Sequence, residues 1–441
     1  AHTAARAVRH ARSAAVALAT AATALALGAC SASSPPPDSD ASAAAGGEGQ
    51  GVTSSEIKVG VVHLLHAEAG GGSSVDQKAQ AQAVIDYVNS HGKVAGRTLV
   101  PVYQAVDLQK AAGGSPESTK ACTALTEDTK VFAVLATAAI DNKCLIKHHT
   151  PIIASGLNAS RDNADGSGYR GHEQYLYGPS ALPTDDNFRV LIDGLAQQDF
   201  FSRMPDGASG SAKIGVVTFA QQKTGVGPAL ESALAEHDLK VTDYGLVENT
   251  GNSAPSIVLR FTREGITHVL FPNYSPVTFA PAAEAQEYRP LYGLSSSNVP
   301  GLIEKMLPAA QLKGAQGVGW MPFTDVGAQQ ETGLTGQSAQ LCTKIMKDAH
   351  LPVTHDAMQS AAAYCDDFLV LQRSLQGAKS VTPQTLQHGY EAIGAWDSPA
   401  AFSAKLGPDR HAGVSGSRDL AFDAGCSCFR YQGPVRPIAA R

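Results

Sequence analysis

Short apolar runs alternate with amphipathic segments along the first half of the chain, and this alternation predicts an α/β fold. The first predicted strands are residues 57–62, 99–103, 131–135 and 152–154. Between them, residues 76–90 and a segment that includes 120–126 place apolar side chains three and four positions apart, as a helix does. Because the strands are continuously apolar, they fit a parallel sheet that is covered by helices on both faces.

The same alternation begins again at Lys213 and predicts a second, similar unit. Its expected strands are residues 213–217, 241–246, 268–271 and 291–294, and its expected helices are 226–236, 253–263 and 278–287. We therefore expect two doubly wound α/β lobes in tandem, with the connection between them at residues 206–211. The rest of the chain is predicted to be mainly helical (334–349, 356–374 and 382–392) and to end in strand-like segments at 421–422 and 428–431.

The first 51 residues have a different pattern, which is typical of an exported, lipid-anchored protein. Three arginines precede an apolar run at residues 14–27, the order of a secretory signal peptide. The quartet Leu27-Gly28-Ala29-Cys30 resembles the bacterial lipobox, in which the leader (1–29) is removed and the cysteine is lipidated. An ordinary signal peptide is the alternative; a spanning helix needs roughly 20 apolar residues. Residues 30–51 are mostly Ser, Ala, Pro, Gly and acidic residues, which predicts a disordered linker.

Charge and composition exclude some classes of partner. The chain has 34 basic and 40 acidic residues, a net charge of −6, and loss of the three leader arginines would bring it to −9. An acidic surface repels phosphate backbones, so no nucleic-acid partner is expected. After the leader, no long uncharged apolar run predicts a transmembrane helix.

Six cysteines remain besides Cys30, and an even number in an exported protein predicts disulfides. The favoured pairs are Cys122 with Cys144, Cys342 with Cys365, and Cys426 with Cys428. The last pair would close a very small ring, and a metal site at Cys426-Ser427-Cys428 is its alternative. We expect no cofactor.

This organisation resembles the type I solute-binding proteins of ABC importers, in particular the leucine/isoleucine/valine-binding branch. The similar stretches are residues 52–60, 152–156, 213–217, 225–227, 314–317 and 361–366. The resemblance covers about residues 52–431 and implies two lobes joined by a hinge, with a ligand cleft between them. It implies a first lobe of residues 52–182 and 320–378, a second lobe of 183–319 and 379–433, and a tail at 434–441. The implied partners are a small ligand and a membrane permease, and the implied state is a monomer.

In open α/β sheets, ligands bind beyond the carboxyl ends of the strands, where helix N-termini present free N–H groups. In the first lobe, Ser73 or Ser74 is expected to cap the helix after the first strand, next to a ligand carboxylate. A plain loop is the alternative. The resemblance implies ligand contacts for Thr137 and Ala138 after the third strand and for Asn158 after the fourth. Ordinary strand-end turn residues are the alternative for these positions.

In the second lobe, the resemblance implies ligand contacts for Thr224, which stands where the family has an aromatic residue, and for Tyr274 in the loop after strand 268–271. Ser296, a further expected ligand contact, lies in the loop where the family's amino-acid binders carry an acid that pairs with the ligand ammonium. This chain has Ser295-Ser296-Ser297-Asn298 there, without a carboxylate. Because a buried ammonium without a counter-charge is costly, either the ligand is not an α-amino acid or another acid replaces the missing one.

The sequence does not predict an enzyme. It contains neither G-x-S-x-G nor H-E-x-x-H, and the adjacent His148 and His149 cannot face the same way in a strand. We expect an extracytoplasmic substrate-binding lipoprotein for a small polar metabolite, amino-acid-like or amide-like. A ligand sensor that uses the same cleft, or a cell-surface hydrolase, is the alternative.

Overall fold

The computed structural model describes residues 47–65, 67–69, 73–107, 116–137, 140–155, 174–220, 223–247, 253–272, 276–330 and 332–438. From Gly46 onward the chain forms one compact unit, which contains two separate sheets of more than two strands. No helix in the described ranges has the length and apolar character needed to cross a membrane.

The first sheet is parallel and has the strand order β4-β1-β5-β6-β7. Its strands are β1 (Glu56–Leu64), β4 (Thr98–Val106), β5 (Ala133–Ala136), β6 (Ile152–Ile153) and β7 (Leu176–Tyr177), and a separate two-stranded ribbon holds β2 (Ala67–Ala69) and β3 (Ser73–Val75). Its helices are α1 (Gln77–Ser90), α2 (Pro116–Thr123), which continues as a π-helix (Ala124–Asp128), and α3 (Asn142–Lys147).

Apolar side chains project from both faces of this sheet, and helices therefore cover both faces. In β5, Ala133 and Leu135 pack into one apolar cluster, while Val134 and Ala136 pack into another. The first cluster includes residues of α1 and of the long helix α12 (His355–Ser374), and the second includes residues of α2 and α3. The doubly wound arrangement predicted from the continuous apolar strands is confirmed.

The second sheet has the strand order β16-β15-β12-β11-β10-β8-β9. Its parallel strands are β8 (Ile214–Phe219), β9 (Val241–Val247), β10 (His268–Leu270), β11 (Leu291–Ser295) and β12 (Gln316–Gly319), and the antiparallel hairpin β15 (Gly416–Asp423) and β16 (Cys428–Pro437) extends the sheet beyond β12. Gly317 is required in β12, because a side chain there would collide with the carbonyl oxygen of Leu294.

The helices of this region are α4 (Thr184–Gln197), α5 (Lys223–Ala235), α6 (Ala254–Glu264), α7 (Phe279–Ala285), α8 (Pro300–Met306), α9 (Ala309–Leu312) and α10 (Pro322–Asp325). The C-terminal part adds α11 (Gln337–Asp348), α12, α13 (Pro383–Glu391) and the short pair β13 (Ala395–Trp396) and β14 (Ala404–Lys405). The expected helices at 334–349, 356–374 and 382–392 correspond to α11, α12 and α13.

The chain passes from the first sheet to the second at residues 178–183, before the connection expected from composition at 206–211; the lobe boundary that the resemblance implied, between residues 182 and 183, lies in this segment. Helix α4 follows immediately, and its apolar residues Phe188, Leu191 and Leu195 are buried in the core of the second sheet. Residues 206–211 instead form a loop that leads into β8. Helix α4 was not predicted, although the spacing of these three residues is helical and Asp185 and Asp186 lie in the first turn.

Two later segments connect the lobes again. We call residues 178–183 the first connection, 326–336 the second and 392–415 the third. Helix α13, which lies between the second and third, was expected in the second lobe. Its residues Leu386 and Tyr390 are buried in the same apolar cluster as α1, α12 and β1, so α13 packs with the first lobe.

The first and third connections lie side by side. The Gly178 N–H donates to the His411 carbonyl (2.8 Å), and the Val414 N–H donates to the Ala181 carbonyl (3.0 Å). Gly178 also forms a parallel bridge with Ala412. The two connections therefore form one hydrogen-bonded ribbon between the sheets.

Candidate functional site

The carboxyl ends of β1 and β5 carry a buried polar network. The Thr137 hydroxyl, one residue after β5, lies 2.8 Å from the Tyr364 hydroxyl and 3.1 Å from Gln77 Oε1. Tyr364 in turn donates to the Val62 carbonyl (3.1 Å), and Gln77 Oε1 accepts from the Leu64 N–H (2.9 Å). Helices α1 and α12 thus place these side chains at the edge where ligands of parallel sheets bind.

Two adjacent carboxyls of α12 lie next to this network, and both are fully buried. Asp366 accepts hydrogen bonds from Trp396 Nε1 (2.7 Å), Ser398 Oγ (2.9 Å) and Ser155 Oγ (3.0 Å). Burial raises the pKa of Asp366 to about 6, although these hydrogen bonds favour its charged form. Burial raises the pKa of Asp367 well above its ordinary value, and the neighbouring Ser155 opposes this rise.

The corresponding edge of the second sheet is built around Ser296, directly after β11. The Ser296 hydroxyl donates to Asp325 Oδ2 (2.8 Å) and accepts from the Trp320 N–H (2.8 Å). Asp325 Oδ2 also accepts from the Tyr431 hydroxyl (2.6 Å) and the Met321 N–H (2.9 Å). Burial raises the pKa of Asp325 to about 7, and the bonds from Tyr431 and Ser296 oppose this rise.

The expected helix cap in the first lobe is wrong. Ser73 and Ser74 lie in β3, paired with Ala69 and Glu68, rather than at the start of α1. Asp76 caps α1 instead, because its carboxylate accepts from the Ala79 N–H at 2.9 Å. Thr137 has the expected place after β5, but its hydroxyl lies within hydrogen-bonding distance of Gln77 and Tyr364.

In the second lobe, Thr224 is exposed in the first turn of α5. Ser296 does not present a free hydroxyl, since it is fully buried and its hydroxyl bonds inside the second lobe. The expected contacts Ala138, Asn158 and Tyr274 lie outside the described residues, as does Cys30.

An acid lies beside the β11 loop in space, although the loop itself contains none. Asp325 lies 29 residues after Ser296 in the chain, yet its carboxyl contacts the Ser296 hydroxyl, and Asp325 Oδ1 has no hydrogen-bond partner within the described part of the chain. A side chain at Gly319 would occupy the space of this carboxyl. Neither Asp325 nor the Asp366–Asp367 pair was singled out from the sequence; the available signal was the placement of charged residues inside the apolar stretch of α12.

Two pockets among the described residues lie elsewhere. One of about 460 Å³ lies between α5 and β9 and includes Lys223 and Tyr244, and another of about 230 Å³ lies between α4 and α5. None of the expected ligand contacts lines either pocket. These pockets therefore do not support the expected ligand site.

The cysteines form three pairs at bonding distance in the structure: Cys122 with Cys144, Cys342 with Cys365, and Cys426 with Cys428. Among the described residues, no group of three or more histidine, cysteine, aspartate or glutamate side chains is arranged to hold a metal ion. The metal alternative at Cys426 and Cys428 thus lacks further ligands in that part of the chain.

No family model matches the sequence, and no curated protein matches it. Solved structures do match. A possible leucine/isoleucine/valine-binding protein from Rhodopirellula baltica has a TM-score of 0.61 and 13% identity, over 86% of this chain and 96% of that one. A branched-chain amino acid ABC transporter protein from Thermus thermophilus with bound valine has a TM-score of 0.58 and 14% identity, over 87% and 97%.

A third match is a solute-binding protein of an ABC transporter from Rhodopseudomonas palustris in complex with p-hydroxybenzoic acid. Its TM-score is 0.61 and its identity 14%, over 87% of this chain and 98% of that chain. At these identities the similarity establishes the fold. The chain has the two-lobed α/β fold of the type I periplasmic solute-binding proteins, which confirms the fold that the resemblance implied.

Proposed function

We propose that this protein is the extracytoplasmic substrate-binding lipoprotein of an ABC-type importer, and that its lobes close on a small polar metabolite. The observation that carries the proposal is the similarity of the fold, along most of the chain, to solute-binding proteins solved with ligands such as valine and p-hydroxybenzoic acid. Closure of two lobes around a ligand is a known motion of such folds. The closed form would then be delivered to a membrane permease.

The polar groups at the sheet edges support a polar ligand that is amino-acid-like or amide-like. Thr137 and Tyr364 lie at the carboxyl edge of the first sheet, and Ser296 and Asp325 lie at that of the second. Asp325 Oδ1 has no partner within the described residues, so the second sheet holds an unpaired carboxyl oxygen near the expected site. Because burial favours the protonated form of Asp325, this carboxyl can donate as well as accept, and a ligand with amide groups, which also do both, suits this edge.

A thermal-shift screen of the purified full chain tests binding. The probes are amino acids, small amides, ureas and hydroxybenzoates. A ligand at one hundred times its Kd should add about 2.7 kcal/mol to the free energy of unfolding and raise the melting temperature by a few degrees. The proposal fails if none of these probes raises the melting temperature.

Tyr274→Ala identifies the site in the same screen. It should weaken binding of any compound that raises the melting temperature, whereas Tyr244→Ala, in the edge strand β9, should leave binding unchanged. Equal affinity in the two variants would remove Tyr274 from the proposed site.

Lipid anchoring at Cys30 is part of the proposal. A multiply acylated cysteine holds a protein firmly at a membrane, since each buried methylene contributes about 0.8 kcal/mol. Cys30→Ser should move the protein from the membrane fraction to the soluble fraction in the native host. Unchanged membrane retention would contradict anchoring without affecting ligand binding.

A further inference from the structure

The carboxylate of Asp366 lies where the first lobe meets the first and third connections. It accepts hydrogen bonds from Ser155, which follows β6 of the first sheet, and from Trp396 and Ser398 in the third connection. Ser180 in the first connection adds a further hydrogen bond. The donors come from three segments, the farthest of them 211 residues away in the chain.

These bonds continue into the ribbon between the sheets. Ser398 Oγ, which donates to Asp366, also accepts the N–H groups of Ala400 and Ala401 at 3.1 Å. Farther along the third connection, the Gly413 N–H donates to the Gly178 carbonyl (2.8 Å). One carboxylate therefore links α12, the end of β6 and both strands of the ribbon.

We propose that Asp366 is the positioning residue of the hinge, which fixes the first and third connections against the carboxyl edge of the first sheet. The proposal deepens the proposed function and rests on it, since only a protein whose lobes move needs a hinge. Hinges are a few positions at element ends that take up the change of backbone angles. Asp366 would limit that change and keep Ser155 beside the connections.

The chemistry requires a carboxylate at this position. An ionised carboxylate has about four acceptor sites and no proton to donate, which matches a set of O–H and N–H donors. In an asparagine of the same shape, the amide nitrogen would face either the Trp396 N–H or the serine hydroxyls. With the amide oxygen on the Trp396 side, the amide nitrogen faces Ser398 Oγ, which already accepts the N–H groups of Ala400 and Ala401, so Asp366→Asn must lose the Ser398 bond.

Asp367 provides a matched control. It is the next residue of the same helix and is equally buried, but the hydrogen bonds from Trp396 and Ser398 in the third connection go to Asp366, whereas Asp367 lies near Ser155. Asp367→Asn removes a buried carboxyl and leaves the bonds between Asp366 and the third connection in place. General effects of a changed charge in α12 should appear in both variants, and hinge effects only in Asp366→Asn.

Hydrogen exchange followed by mass spectrometry on the purified full chain tests the proposal without a ligand. In Asp366→Asn, the amides of the ribbon, which include Gly178, Ala181, Gly413 and Val414, should exchange about tenfold or more faster, because a charge-assisted network has been cut. The amides of β5 and β10 should keep their rates. Asp367→Asn should change neither set.

Small-angle scattering measures the radius of gyration, which should not change when a residue that only stabilises the fold is replaced. The radius of gyration of the ligand-free chain should increase in Asp366→Asn and stay constant in Asp367→Asn. If Asp366→Asn does not fold, Trp396→Phe, which removes one donor, should give the same pattern with a smaller change in exchange. Unchanged ribbon exchange in the folded variants, or equal acceleration in Asp367→Asn, overturns the proposal. A failed ligand screen with the expected exchange pattern would instead refute the transport function alone.

Discussion

Asp325→Asn should change how stability depends on pH, because Asp325 is a fully buried acid whose pKa lies far above its ordinary value. Asp325 Oδ2 accepts hydrogen bonds from Ser296, Tyr431 and Met321, while Oδ1 has no partner within the described residues. An asparagine can keep the three bonds by placing its oxygen at the Oδ2 position. It differs from aspartate mainly in having no charge to desolvate.

The magnitude follows from proton linkage. The native pKa of about 7 exceeds the ordinary value of 3.8, so between these values the native state binds the proton that the unfolded state has released. The free energy of unfolding must then fall as pH rises, by about 4 kcal/mol in total. Because the unfolded group is already ionised at pH 5, about 2 kcal/mol of this loss falls between pH 5 and pH 7.

Urea unfolding of the full chain, followed by circular dichroism at several pH values between 5 and 8, measures this loss. The difference in free energy of unfolding between Asp325→Asn and the unsubstituted protein should shift by about 2 kcal/mol in favour of the variant from pH 5 to pH 7. The unpaired amide N–H of the asparagine adds a difference that is the same at every pH. Asp238→Asn on the surface is the control and should follow the unsubstituted protein. Parallel profiles for the protein and Asp325→Asn would refute the reasoning that burial holds the Asp325 proton.

Three further predictions concern packing, the disulfides and the polar network. Phe188→Ala should cost about 3–5 kcal/mol in urea unfolding, because this α4 side chain is fully buried, whereas the part-buried Phe201→Ala should cost clearly less. Cys342→Ser should cost about 3 kcal/mol if the bridge to Cys365 forms, and an unchanged midpoint, or a different partner in non-reducing peptide mapping, would disprove that bridge. Thr137→Val should cost about 1 kcal/mol and Thr137→Ser should restore most of it; equal losses would show that the hydroxyl contributes nothing.

The predicted elements agree with the structure where the signal is local. Residues 356–374 were expected to be a helix and lie in α12, and the expected strand at 57–62 lies within β1. The expected helix start at Ser73 or Ser74 failed because a short ribbon intervenes and Asp76 supplies the cap. Pairing of β2 with β3 is a contact between separate segments, which the spacing of apolar residues does not show.

The candidate site was predicted less well than the fold. Thr137 lies one residue after β5, at the strand end where it was expected. Nothing in the sequence connects Ser296 with Asp325 or Ser155 with Asp366, since these partners are 29 and 211 residues apart. Ser296 was therefore expected to contact the ligand. In the structure its hydroxyl forms hydrogen bonds inside the second lobe instead.

The sequence by itself determined that this chain has two α/β units, because apolar periodicity and helix caps act between residues a few positions apart. Only the tertiary structure decided where the chain crosses between the sheets and which acids are buried. A crossing point depends on which sheet can cover the apolar face of α4, and the pKa of a carboxyl depends on the donors and water around it. Both are properties of the assembled core, where residues distant in the chain come within hydrogen-bonding distance.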